Sequence, residues 1–166
     1  MNFHKNQDTA SKGIGVITIP ENRWPRVDIK SVSLLPNVLA KQQAREKNAY
    51  EAWFVDHDGH VTEGASSNAW IVTKDGKVVT RSADSGILAG VTRAVLTEVL
   101  ASLQIKLEER PFTPAEAYEA AEAFVTASSQ IVMPVVRVDG RDIGNGKPGP
   151  IALRLREEFH RFSAFS

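Results

Sequence analysis

Lys30 closes a β-rich stretch, RVDIKSV, in which Ile29 and Val32 flank it. Such flanks can draw an amine partly out of water, and desolvation favours the neutral form that attacks a carbonyl carbon to give a Schiff base. The competing reading is a surface lysine whose stem lies along apolar neighbours. Glu63 stands in VTEGASSN, where one carboxylate meets a glycine turn and three residues with hydrogen-bonding side chains ahead of the apolar strand AWIV. A carboxylate held there can pair with a protonated ring nitrogen and keep it electron-withdrawing. Equally, serine and asparagine in a turn serve local backbone bonds. GILAGVTR enters a helix through Gly90, Val91 and Thr92. The unpaired N–H groups and positive dipole end of a helix start seat a phosphate, and Thr92 adds a donor. Ordinary N-capping by Thr92 would use the same residues without a ligand. The hydroxyls of TASS, Thr126 to Ser129, extend that seat or simply end a strand.

Other patterns point to structure rather than chemistry. DHDGH gathers two His and two Asp, yet its Asp58-Gly59 pair marks a hairpin turn ahead of a metal site. GNGKPGP has neither the order of a P-loop nor a dinucleotide fingerprint and reads as a loop before a helix. No G-x-S-x-G elbow occurs. Trp24, Trp53 and Trp70 lack an accompanying basic stripe and are assigned to core and interface rather than to base stacking.

The elements that must position these residues follow from periodicity. Residues 1–12 are polar and predict a flexible start, with order beginning near Gly13 and one domain over 13–166. IGVITIP predicts a buried strand, ENRWP an irregular connection, and VDIKSV a short extended piece that sends Asp28 and Lys30 to one side. From Leu34 to about Asn48, apolar Leu35, Val38 and Leu39 at helical spacing oppose a basic, Gln-rich face. YEAWFVDHDGHVTEG reads as a hairpin, and SNAWIV and KVVT as strands around a second Asp-Gly turn, so an antiparallel sheet is expected. A helix starts near Val91 to Thr92 with its stripe on Val95, Leu96, Val99, Leu100 and Leu103. A short KLEER strand follows. Thr113 with Glu116 forms a capping box with Pro114 at the first helical position. AFVTAS and IVMPVVRVDG predict strands, and Pro150 opens a last helix ending around Phe159.

Composition bounds the function. A chain of 166 residues is long enough for one substantial core without disulfides or a structural metal. Twenty Lys and Arg balance twenty Asp and Glu, which argues against a dedicated nucleic-acid or acidic-membrane binder. The absence of Cys removes disulfides, thiol nucleophiles and thiolate metal sites, and fits a reducing cytoplasm. No apolar run approaches the roughly 20 residues that span a bilayer, so a cytoplasmic protein with no membrane partner is expected.

Taken together and in order, RVDIKSVSLLPNVLAKQQA, VTEGASSNAWIV, GILAGVTRAVL and FVTASSQIVMPVVRVDGRDIGNGKPGP resemble the class IV pyridoxal-phosphate aminotransferases. DIKS followed by LLPNVLAKQ is more similar to the D-amino-acid members than to the branched-chain or lyase members. The resemblance implies an α+β fold, the cofactor-binding large domain of these enzymes, with antiparallel-rich, barrel-like sheets and surrounding helices. It implies pyridoxal 5'-phosphate as cofactor, an amino acid and a 2-oxo acid as substrates in D-alanine:2-oxoglutarate-type transamination, no metal, and a homodimer.

Residue by residue, the resemblance makes Lys30 the Schiff-base lysine and proton shuttle and sets Glu63 against the pyridine nitrogen. Val91, Thr92 and Ser128 would hold the phosphate, and Leu88 would pack on the ring. Arg23 would stand behind Glu63, with Ser67 beside it. The alternatives are a branched-chain L-amino-acid aminotransferase, an aminodeoxychorismate lyase, or a silent cofactor-binding or interaction remnant. Family members normally carry a smaller N-terminal domain, which is expected to be missing here and to leave the isolated chain poorly active.

Overall fold

The computed structural model describes residues 3–83 and 86–164; Met1 and Asn2, the outer end of the expected flexible start, lie outside them. The rest of that start is a correction to the sequence reading. Residues 3–12 form helix α1 (Phe3–Lys12), Ala10 is buried, and Asn6 Nδ2 donates to Ser129 O at 2.8 Å. Polar composition hid a helix whose anchor is one small residue. Gly13 stops it at φ +75°, donating from N to Thr9 O at 2.8 Å where a side chain would collide with Val136.

The chain then runs β1 (Ile14–Pro20), α2 (Leu35–Glu46), β2 (Glu51–Val55), β3 (Val61–Gly64), β4 (Asn68–Val72), β5 (Val78–Thr80), α3 (Val91–Ser102), β6 (Leu107–Glu109), α4 (Pro114–Glu119), β7 (Glu122–Ala127), β8 (Ile131–Val138), β9 (Arg141–Asp142) and α5 (Pro150–Ala164). The last helix extends past the expected end at Phe159. The strands form one sheet in the order β3-β2-β1-β8-β7-β4-β5-β6, with β9 on β8. Pairs β2/β3, β4/β5, β4/β7, β7/β8 and β8/β9 are antiparallel. By contrast β1 runs parallel to β2 and β5 to β6, because the chain crosses over between them through α2 and α3, and β1 also runs parallel to β8.

The sheet is curled. Val61, at the start of edge strand β3, donates its N–H at 2.8 Å to the carbonyl of Phe112, just beyond the opposite edge strand β6. Trp53 of β2 meets Phe112 edge to face with ring centroids 6.0 Å apart. One inward cluster collects Val16, Trp53, Val61, Ile71, Val79, Val125 and Met133 from strands all round the curl. The outward faces pack α3 and α5 over Trp70, Val78, Phe124 and Val132, and α2 over Ile17, Ile19 and Phe54. This is the barrel-like α+β architecture expected, with both faces of its central strands covered.

Local chemistry fixes the connections. Asp56 Oδ1 accepts from the N–H groups of Asp58 and His60 at 3.1 and 2.9 Å, so DHDGH is the β2–β3 turn, and Arg81 reaches Asp56 Oδ2 at 2.6 Å. The Thr113–Glu116 capping box forms as read. Buried Glu122 accepts from Ile151 N and Ala152 N at 3.0 and 2.9 Å, capping α5 from the sheet. Helix α2 departs from its pattern: Ala40 and Ala44 face the core, while Leu35, Val38 and Leu39 face outward. Among the described residues no helix is long and apolar enough to cross a membrane.

Candidate active site

An open cleft of about 570 Å³ lies where the loop after β1, the end of β3, the start of α3 and the end of β7 meet. Arg23 and Lys30 enter from the first of these, Glu63 and Ser67 from the second, Leu88, Val91 and Thr92 from the third, and Ser128 from the fourth. Residues as far apart in sequence as Arg23 and Ser128 are thereby closed onto one space.

Lys30 reaches the cleft differently from the sequence reading. VDIKSV is not extended: a turn at Val27–Asp28 is closed by Ile29 N donating to Arg26 O at 3.1 Å, and the Arg26 guanidinium clasps Asp28 at 2.9 and 2.7 Å. The lysine follows this turn as an exposed residue, not as a half-buried strand end. Strand alternation misled because Arg26 and Asp28 bond each other across the turn instead of joining a ladder.

Glu63 sits at the opposite wall, buried. Its Oε1 accepts from Arg23 Nη1 at 2.5 Å; its Oε2 accepts from Leu88 N at 3.1 Å and from Asn68 Nδ2 at 3.2 Å. Burial pushes the Glu63 carboxyl above the usual carboxylate range, against the pull of Arg23 and the Leu88 N–H. Arg23 is itself committed twice, because Glu21 takes its Nε at 2.8 Å and its Nη2 at 2.6 Å. The guanidinium carbon lies 4.3 Å from the centre of the Phe54 ring. Burial alone would raise Glu21, but Arg23 and the Thr62 hydroxyl hold it below its ordinary value.

The residues between Glu63 and β4 form a tight loop, with Gly64 N donating to Ser67 O at 2.6 Å. Ser66 and Ser67 turn their hydroxyls onto Oε2 of the fully buried Glu51 at 2.8 and 3.1 Å, and Lys41 lies 3.4 Å from its Oε1. Ser67 thus meets the cleft while its hydroxyl is held from behind.

At the third wall the cap of α3 is Gly90, not Thr92, and no side chain caps it. Among the described residues, the first N–H groups of that helix therefore have no intrahelical or side-chain partner. Thr92 is buried, and its hydroxyl makes no hydrogen bond among the described residues. Exposed Ser128 sits on the β7–β8 turn, where Asn6 Nδ2 binds Ser129 O and Arg156 Nη1 binds Gln130 O and Val132 O at 2.7 and 2.8 Å.

Asn68 lines the cleft, and Glu21 and Glu51 stand behind it on Arg23 and on Ser66 and Ser67, yet the sequence carries little sign of these three. Glu21 stands two residues before Arg23 with no motif around it, and Glu51 opens an ordinary strand. Asn68 carries a signal as the last residue of VTEGASSN, where turn chemistry offers an equal account of it.

Chemically, the cleft sets an exposed amine, a buried acid of raised proton affinity and an uncapped helix start around one space. A family model described as Amino-transferase class IV matches residues 2–138. The D-alanine aminotransferase of Staphylococcus haemolyticus is 40% identical over 161 residues, covering 96% of this chain and 56% of the relative. That of Bacillus licheniformis is 40% identical over 154 residues, covering 93% and 54%. Among solved structures, the T.th. branched-chain amino acid aminotransferase with pyridoxamine 5'-phosphate superposes with a TM-score of 0.82 at 33% identity, covering 90% of this chain and 51% of that one. The Escherichia coli branched-chain enzyme gives 0.83 at 28% identity, covering 90% and 52%. The chain spans about half the length of these relatives.

Proposed function

The chain belongs to the class IV aminotransferases, and from that membership we propose that it holds pyridoxal 5'-phosphate in the cleft and transfers an amino group between a D-amino acid and a 2-oxo acid of the D-alanine and 2-oxoglutarate type. The D-alanine aminotransferases that align along nearly the whole chain support the substrate class, and a solved neighbour carrying pyridoxamine 5'-phosphate supports the cofactor. The residues present fit that group. The uncapped α3 start and the Thr92 hydroxyl, which has no partner among the described residues, suit a phosphate together with nearby Ser128, and Glu63 suits a protonated ring nitrogen.

When bound, the cofactor supplies an electron sink for the pair left behind when a proton leaves the substrate Cα. The chain's own residues do the rest. Lys30 would supply the amine facing the cofactor aldehyde and would hold or release a proton at Nζ. Glu63 would hold the ring nitrogen charged, Arg23 keeps Glu63 in place, Leu88 would pack on the ring, and Val91 with Thr92 would face the phosphate. The exposed apolar rim of the cleft, including Trp24, Val38 and Val91, supports a working form in which a second copy of the chain covers it.

The observation that carries this reading is the convergence of Lys30, Glu63 and the start of α3 on one cleft. The test adds pyridoxal 5'-phosphate, reduces with borohydride and maps the label by peptide mass. Label on Lys30, lost in Lys30→Ala, is expected; label elsewhere or none overturns the reading. Pyruvate from D-alanine, set against the oxo acid from L-leucine, separates it from the branched-chain activity that the solved neighbours carry.

A further inference from the structure

Resting on that reading, we propose that Asn68 is a positioning residue that sets the spacing between the acid facing the cofactor ring and the helix start facing its phosphate. Asn68 opens β4 and is paired in register with Thr126 of β7, so its backbone is fixed by the sheet while its side chain reaches the end of β3 and the loop before α3. The carboxamide nitrogen has two hydrogens and meets two acceptors, Glu63 Oε2 at 3.2 Å and Leu88 O at 2.9 Å. Leu88 N donates to the same Glu63 oxygen at 3.1 Å. Acid, loop peptide and carboxamide therefore close a ring of hydrogen bonds, tied to β7 through the register pairing of Asn68 with Thr126.

The other end of the carboxamide explains the residue that starts the helix. A Cβ on Gly90 would come within 2.5 Å of Asn68 Oδ1, so the α3 cap lies against the amide as closely as a glycine allows. Gly90 has φ −67°, which any residue adopts, so its need for glycine comes from Asn68 and not from backbone conformation. One side chain thus gauges both ends of the cleft.

A double-mutant cycle tests this with Asn68→Ala, Gly90→Ala and the double variant. In Asn68→Ala the affinity for pyridoxal 5'-phosphate is expected to fall about tenfold, a loss of one to two hydrogen bonds. Affinity for pyridoxal, which lacks the phosphate and uses one end only, is expected to fall clearly less. Gly90→Ala weakens phosphate-ligand binding and lowers the melting temperature in the unsubstituted chain, and does neither in the Asn68→Ala background. Equal proportional loss for the two ligands, or an equal effect of Gly90→Ala in both backgrounds, overturns the proposal. If the unsubstituted chain binds neither ligand, the functional reading has failed; the ligand-free melting temperatures still decide whether residues 68 and 90 are coupled, and equal shifts overturn that coupling.

Discussion

Arg23 divides one positive charge between two carboxylates, so Glu21, Arg23 and Glu63 together keep one negative charge at the cleft wall. Glu21 takes two of the guanidinium contacts and Glu63 takes one, which leaves Glu63 the less neutralised of the pair. Its folded-state acidity is weakened by burial, so Glu63 stays protonated to a higher pH than an exposed glutamate, whose usual value is about 4.3. A ligand with a cationic ring nitrogen prefers the ionised acid, and its affinity is expected to rise with pH as Glu63 loses its proton. Glu63→Gln should bind pyridoxal more weakly and lose that part of the slope; titrations at several pH values check this, and parallel slopes would refute it. Removing the shared cation has a larger effect. Arg23→Met leaves buried Glu63 and half-buried Glu21 uncompensated and should lower stability at neutral pH by about 3 kcal/mol, read by urea denaturation. The sign of the pH dependence follows from Glu21, which Arg23 and Thr62 hold below its ordinary value despite burial. Its contribution is full above the unfolded carboxylate range and is lost as pH falls through the folded value, so the gap between Arg23→Met and the unsubstituted chain should narrow in acid.

Elements whose signals are local were legible in the sequence. The Asp56 turn, the Thr113 capping box and the α3 stripe each complete their interactions within a few residues or on one helix face. Elements decided by distant partners were not. The parallel pairing of β1 with both β2 and β8 has no signature in IGVITIP, and the Lys30 loop folds around an Arg26–Asp28 pair that mimics strand alternation. The β7–β8 turn carrying Ser128 is a further case. Ile131 sits at φ +60°, a strained conformation for a β-branched residue, and Arg156, far along the chain on α5, holds the carbonyls of Gln130 and Val132 around it. Arg156→Met strands those buried acceptors and should lower stability by about 2 kcal/mol. Amide exchange in residues 128–132 should quicken with it; unchanged protection there would show that the turn holds its shape without the arginine.

At the scale of the whole molecule, the candidate site was legible as a set because each of its four blocks carries its own chemistry, while the residues that join the blocks, Glu21, Glu51 and Asn68, act only through the fold. The same distinction governs the outer surface. In α2 the helical periodicity of Leu35, Val38 and Leu39 is real, yet alanines take the core side, since only Ala40 and Ala44 let the helix approach β1 and β2 closely. The larger side chains are left outside: Val32 is 96% exposed and Leu35 69%, next in sequence to Leu34, which lines the cleft with Trp24, Val91 and Val38, itself 60% exposed. Apolar surface gathered at one opening favours a covering partner, at roughly 25 cal/mol per Å² removed from water. With a second copy as that partner, the chain should sediment as a concentration-dependent dimer, and Leu35→Lys with Val38→Glu should shift it to single chains. Because neither side chain supports the core, the melting temperature of the dissociated double variant should match that of the diluted unsubstituted chain, surface substitutions of this kind typically falling within about 0.5 kcal/mol. A double variant that still pairs would move the interface away from this rim, and an unsubstituted chain that stays single at every concentration would overturn self-association.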